Sequence, residues 1–123
     1  MTDWREKGLT VFREMLPGLL PDGDVDFRQG FAPDMMDIGV ESIFGRLWSR
    51  EGLGRRERSL VTLGILIALG AEHELKSHFK IARQNGLTED ELAEVVYHSI
   101  GYAGFPAANT ARGIAEKALE ELK

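Results

Sequence analysis

The chain has 123 residues, 43% of them hydrophobic, a formal net charge of −5 and no cysteine. This length predicts a single domain over residues 1–123 with enough apolar side chains for a buried core. The acidic balance argues against nucleic acid as a partner, and the missing thiols exclude disulfides, thiolate metal sites and cysteine nucleophiles. The longest apolar run, residues 60–69, is too short to span a membrane. Because the N-terminus also lacks an apolar secretion signal, we expect a cytoplasmic protein with no membrane partner.

Apolar residues at helical spacing predict an all-α fold with no strand. A first helix begins after a cap at Thr2 or Asp3 and ends at a proline–glycine turn. A less regular helical segment, about residues 27–48, is expected to break at Pro33 and Gly39. The remaining predicted helices cover approximately residues 55–70, 71–84, 88–100 and 106–122.

The helix that begins at Arg55 is apolar on nearly all sides from Leu60 onward. Such a helix must be buried on most of its surface. In so short a chain, a neighbouring subunit is an expected source of that cover. The last helix is predicted to bury a stripe of alanines, whose small side chains let helices approach each other closely.

Three histidines are candidates for chemistry. His73 and His78 are five residues apart, which leaves their rings about 140° apart on one helix, so we predict no metal site there. Glu74 and His78 are four residues apart and stack on one helical face. The carboxylate is expected to raise the pKa of His78, which could then act as a general acid; the alternative is a solvated surface ion pair. His98 is expected to pack in the core.

Arg55, Arg56 and Arg58 fall at the start of their helix, where cations oppose the helix dipole. Guanidinium groups beside helix N-terminal amides form an anion site, and a small carboxylate suits this acidic chain better than a nucleic acid does. The alternative is ordinary pairing with Glu51, Glu57 or another subunit.

A glycine-rich break at residues 101–106 carries Tyr102 and Phe105. This segment is expected to end one helix, and Pro106 suits the first turn of the next. The segment forms either a helix–helix corner or one wall of a pocket, and the sequence favours neither.

Four motifs follow one another along the chain. They are Arg58-Ser-Leu-Val-Thr62, Leu75-x-x-His78, Asn85-Gly-Leu-Thr-Glu89-x-Glu91-x-x-Glu94 and Tyr102-Ala-Gly-Phe-Pro-Ala-Ala108. Gly8-Leu9 and Trp48 precede them. In order and spacing these motifs resemble the carboxymuconolactone decarboxylase family, and the resemblance covers nearly the whole chain.

The resemblance implies an all-α subunit that assembles into ring-like homo-oligomers, with a homohexamer expected and a trimer as the alternative. It also implies a lyase that needs no cofactor and converts 4-carboxymuconolactone to 3-oxoadipate enol-lactone in aromatic-compound breakdown. In that role His78 would donate a proton, Glu74 would orient it, and Arg58 would hold a substrate carboxylate or the developing oxyanion. The residues that would wall the pocket are Trp48, Tyr102 and Phe105.

The wider superfamily includes alkylhydroperoxidase D-like proteins, which use a Cys-x-x-Cys pair upstream of the histidine. Ala71 and Glu74 occupy those two positions here, so cysteine-dependent peroxidase chemistry is excluded. Two alternatives to the lactone decarboxylase stay open: an enzyme of the same fold acting on another small cyclic or keto acid, and a non-catalytic oligomeric binding module.

Overall fold

A computed structural model describes all 123 residues and contains helices only, which confirms the all-α prediction. The helices are α1 (Trp4–Met15), α2 (Met35–Gly39), a π-helix (Val40–Leu47), α3 (Arg55–Leu69), α4 (Glu72–Gln84), α5 (Glu89–Ala103) and α6 (Phe105–Glu121). None of them is both long and apolar enough to cross a bilayer. The chain divides into two compact units, Met1–Leu53 and Gly54–Lys123. The expectation of one domain over residues 1–123 stays a prediction.

In the N-terminal unit, α1 packs directly against the π-helix. Asp3 caps α1, as predicted, by accepting a hydrogen bond from the Glu6 backbone N–H at 3.1 Å. Phe12 and Phe44 meet edge to face, with ring centroids 5.0 Å apart. Arg5 of α1 holds the following loop and α2 by pairing with Asp24 and with Asp37, the latter at 2.8 Å.

The second predicted segment differs from its prediction at Gly39, which does not break the helix. Gly39 has helical dihedrals (φ −63°, ψ −47°), and α2 runs through it into the π-helix. The wider turn is visible at its end, where the Trp48 backbone N–H donates to the Ile43 carbonyl five residues earlier at 2.9 Å. A glycine in a long apolar segment weakens a helix, but packing against α1 compensates for that weakness.

The C-terminal unit is built from α3 to α6 around one apolar core. The buried core residues are Leu63, Ile67, Leu75, Phe79, Ala82, Leu87, Leu92, Val96, Ala108, Ala111, Ala115 and Ala118. Four of them are alanines of α6, which confirms the predicted small inner face of the last helix. Thr88 and Glu91 form a capping box at the start of α5. The break before α6 lies at Gly104 (φ 93°), whereas Gly101 is helical within α5.

The apolar helix α3 is covered on one side only. Leu63 and Ile67 are fully buried, whereas Val61, Ile65 and Leu69 are 54%, 53% and 74% exposed. The expectation that this helix is buried on most sides is therefore not met within one chain. An uncharged apolar stripe faces outward along α3.

Candidate active site

Helix α4 presents Glu74 and His78 one turn apart on the same face, as the spacing predicts. Leu75 and Phe79, the residues next to them in sequence, are buried in the core and fix the rotation of the helix. His78 is consequently half-buried, with its Nδ1 atom shielded from solvent, while Glu74 is exposed. The pair thus joins a shielded imidazole to a solvated carboxylate.

Burial lowers the pKa of His78 below its ordinary value of 6.5, and the charge of Glu74 offsets this effect only in part. The predicted rise in the pKa of His78 is therefore wrong. The spacing revealed the neighbouring carboxylate but not the loss of solvent around the ring, which disfavours the imidazolium. At neutral pH the neutral imidazole predominates in the free protein.

The three arginines lie at the start of α3, as predicted, but Arg56 has a different partner from those expected. Its guanidinium pairs with Glu91 at the start of α5, and neither Glu51 nor Glu57 is that partner. Arg55 and Arg58 are half-buried. Arg56 therefore serves to join two helices, and Arg58 stays the candidate for holding a carboxylate.

The α3–α4 hairpin determines how far Arg58 lies from His78. The two helices are joined at Gly70, which has the left-handed φ of 68°, and their far ends meet where Asn85 bonds Ser59 at 3.0 Å. At 1.5 Å per residue, His78 lies roughly 10 Å back along α4 from that contact. Arg58, which precedes Ser59 in α3, is therefore offset from His78 along the hairpin by a similar amount.

The remaining predicted site residues are distributed unevenly. Trp48 is buried in the N-terminal unit. Tyr102 and Phe105 are 87% and 64% exposed, so within one chain they enclose no pocket, and their role as pocket walls stays a prediction. His98 is exposed beside Tyr102, with ring centroids 5.2 Å apart, so its expected place in the core is wrong. Val96 is buried in α5, and His98, two residues later, lies on nearly the opposite side of the helix.

A cavity of about 550 Å³ lies on α1 and is lined by none of the predicted site residues. Its lining includes Arg5, Arg13 and Asp24, the side chains that face the loop after α1. Arg13 donates to the carbonyl oxygens of Pro21 and Gly23. The charged groups of this cavity therefore serve mainly to hold the loop.

Sequence reasoning missed Ser59, Asn85 and Glu91 as residues that surround the arginine cluster. At the end of α4, Gly86 takes the left-handed conformation (φ 100°) and Asn85 does not (φ −81°). The sequence signal for this contact is the Asn85-Gly86 pair. Because the glycine takes the left-handed conformation, the asparagine amide can form a hydrogen bond elsewhere.

Comparison with known proteins gives matches over nearly the whole chain. The model of the carboxymuconolactone decarboxylase family matches residues 33–117. The chain is 38% identical to a protein from Acinetobacter baylyi named 4-carboxymuconolactone decarboxylase, over 95% of this chain and 87% of the relative. It is 31% identical to a protein from Metarhizium robertsii named nitrosuccinic acid decarboxylase, over 95% of this chain and 82% of the relative. A third relative, an uncharacterized 15.0 kDa protein from Paracoccus denitrificans, is 33% identical over 80% of this chain and 75% of its own length.

Proposed function

Since the chain belongs to the carboxymuconolactone decarboxylase family, we propose that it decarboxylates 4-carboxymuconolactone to 3-oxoadipate enol-lactone. The observation that carries this proposal is the match over 95% of the chain to a relative named for that reaction. The substrate places the reaction in aromatic-compound breakdown, and we expect it to take place in the cytoplasm.

The reaction breaks one carbon–carbon bond and consumes one proton. The carboxylate on the ring carbon leaves as CO₂, and its bonding electrons spread through the ring double bond to the lactone carbonyl. The resulting dienolate takes a proton on the carbon next to that carbonyl. A catalyst must therefore hold the carboxylates, stabilise charge on the lactone oxygen and deliver one proton.

The residues of the C-terminal unit can supply two of these functions. We assign the proton to His78, oriented by Glu74 on the same face of α4, and the retained carboxylate to Arg58. Holding a carboxylate suits Arg58 better than stabilising the oxyanion, because the roughly 10 Å offset along the hairpin separates it from the protonated carbon. Tyr102 and Phe105 of the same unit would exclude water from the dienolate. No cofactor is required for these steps.

The ultraviolet absorbance of the unsaturated lactone should fall when the purified protein is added. In His78→Ala the rate should drop by about 10²–10⁴-fold, which is the usual contribution of one general acid. His73→Ala, an exposed histidine of the same helix, is the matched control and should keep the wild-type rate. Normal turnover by His78→Ala would remove His78 from this role, and no turnover by the wild-type oligomer would refute the lactone as substrate.

Nitrosuccinic acid is the second candidate substrate, because a relative named for its decarboxylation matches 95% of the chain. Loss of CO₂ from the carbon that bears the nitro group leaves a nitronate, whose negative charge lies on the nitro oxygens. This reaction therefore also needs stabilisation of charge on oxygen and one proton. Release of CO₂ from nitrosuccinate with no change in the lactone would favour this alternative. Turnover of neither substrate would favour a non-catalytic oligomeric binding module.

We further propose that the protein self-associates into a homo-oligomer, with a hexamer expected and a trimer as the alternative. The support is the outward stripe of Val61, Ile65 and Leu69 on α3. Burying a large aliphatic side chain stabilises by about 1.5–3 kcal/mol, so three in a row favour association. A second copy offers the same uncharged surface, and we therefore expect it as the partner.

A further inference from the structure

Ser59 is the one polar residue among the fully buried side chains, and its partner comes from another helix end. It is 1% exposed, and its hydroxyl oxygen accepts a hydrogen bond from Asn85 Nδ2 at 3.0 Å. The same amide nitrogen makes a longer contact with the Arg55 carbonyl oxygen at 3.5 Å. The end of α4 is thus fastened to the first turns of α3.

A second contact fastens the same part of α3 to the start of α5. Arg56 pairs with one carboxylate oxygen of Glu91. The other oxygen accepts the Thr88 backbone N–H at 3.0 Å as part of the capping box. The end of α4 and the start of α5 therefore contact α3 at Ser59 and Arg56, the residues that flank Arg58 in sequence.

The turn after α4 does not depend on the amide of Asn85. Gly86 adopts the left-handed conformation, and the Leu87 backbone N–H donates to the Ala82 carbonyl at 3.0 Å. Arg83 donates to the Leu87 carbonyl at 2.8 Å and holds the turn from its other side. The turn is closed by these groups, and the Asn85 side chain contacts α3.

We infer that Asn85, acting through Ser59, is a positioning residue that fixes Arg58 for the carboxylate of the substrate. This inference rests on the proposed function, in which Arg58 holds the retained carboxylate. A guanidinium binds a carboxylate well only in a fixed, bidentate geometry. A backbone held from two sides reduces the disorder that binding would otherwise have to remove.

A double-mutant cycle tests the inference with the lactone as substrate. Asn85→Ala should raise KM by up to about 10-fold, because the lost hydrogen bond can weaken binding by no more than its own contribution. It should leave kcat within about twofold, because only ground-state binding is weakened. Ser59→Ala removes the same hydrogen bond with a residue that favours a helix, so it should also raise KM. It keeps the inference testable if the asparagine variant misfolds. In the Arg58→Ala background, Asn85→Ala should change KM by less than about twofold, because its effect is transmitted by Arg58.

Gln84→Ala is the matched control, since this exposed amide precedes Asn85 and should leave KM unchanged. An unchanged KM in Asn85→Ala, or effects of Asn85→Ala and Arg58→Ala on KM that multiply, would overturn the positioning role. Either result in a wild-type enzyme that turns over the lactone refutes this inference alone. A wild-type protein without turnover refutes the proposed function, and the inference falls with it.

Discussion

Two opposing electrostatic effects act on the imidazole of His78. Burial disfavours its charged form, Glu74 favours it, and burial is the larger effect, so the pKa of His78 lies below 6.5. An imidazole with a lowered pKa donates its proton readily but is protonated only in part at neutral pH. In the proposed complex, a substrate carboxylate next to the ring would raise the pKa of His78 again.

The lowered pKa of His78 predicts how activity varies with pH. Only the imidazolium can donate, so kcat/KM should decrease as pH rises through the pKa of His78 in the free enzyme, which lies below 6.5. Above that pKa we expect a decrease of about tenfold per pH unit. Initial rates measured between pH 5 and 8 test this, with His73→Ala as a control that should keep the same profile. An increase in kcat/KM over that range would instead identify His78 as a base.

The same shift predicts a loss of stability in acid. The unfolded chain binds a proton near pH 6.5 and the folded chain only at lower pH, so the free energy of unfolding should fall as pH drops below 6.5. The slope is at most about 1.4 kcal/mol per pH unit for one proton. Urea unfolding at pH 5 and 7.5 should show a larger acid loss in the wild type than in His78→Gln. Equal losses would contradict the shielded state of His78.

At this scale the sequence predicts what is local. The Glu74–His78 pair depends on a spacing of four residues and was found. The desolvation of His78 depends on tertiary cover and was missed. The contact between Ser59 and Asn85 joins residues 26 positions apart and has no local signal.

Close contact between α1 and the π-helix depends on two glycines. A Cβ at Gly8 would overlap the carbonyl group of Val40, and one at Gly45 would overlap the Trp4 carbonyl oxygen. Both clashes involve backbone, which cannot rotate away as a flexible side chain can. The two helices therefore approach at a distance that only glycine permits.

Gly45→Ala should accordingly destabilise the N-terminal unit by about 1–3 kcal/mol, the usual cost of overpacking. Gly39→Ala is the matched control in the same helical run, because a Cβ there meets nothing within 4 Å. It should stabilise by about 0.5–1 kcal/mol, since alanine favours a helix more than glycine does. Chemical unfolding followed by circular dichroism measures both. Equal effects of the two variants would show that the close approach does not matter.

Helix boundaries set by capping were predictable, and those set by packing were not. The caps at Asp3 and Thr88 are local hydrogen bonds, and Asp3 is one of the two residues expected to cap the first helix. The helix α2 continues through Gly39 into the π-helix, which packs against α1, whereas a glycine by itself indicates a break. The helix α5 likewise extends past Gly101 to Ala103.

For the whole molecule, the sequence indicates that α3 needs cover and the structure identifies which residues lack it. The apolar pattern from Leu60 onward predicted burial on nearly all sides. The chain covers Leu63 and Ile67 itself and leaves Ile65 outward on the opposite face. Periodicity cannot separate a face covered by the same chain from one covered by another copy. Periodicity also gives no information on the substrate, and the proposed lactone rests on the named relative and on the chemistry of the reaction.

Ile65→Glu should therefore disrupt self-association without unfolding the chain. Ile65 is 53% exposed in the single chain, so a carboxylate is tolerated there, but an interface would have to bury its charge. Light scattering should give a multiple of 13.7 kDa for the wild type and a mass near 13.7 kDa for the variant. Lys117→Glu, an exposed charge on α6, is the control and should keep the assembly. A wild-type particle of 13.7 kDa would show that the stripe on α3 stays solvated.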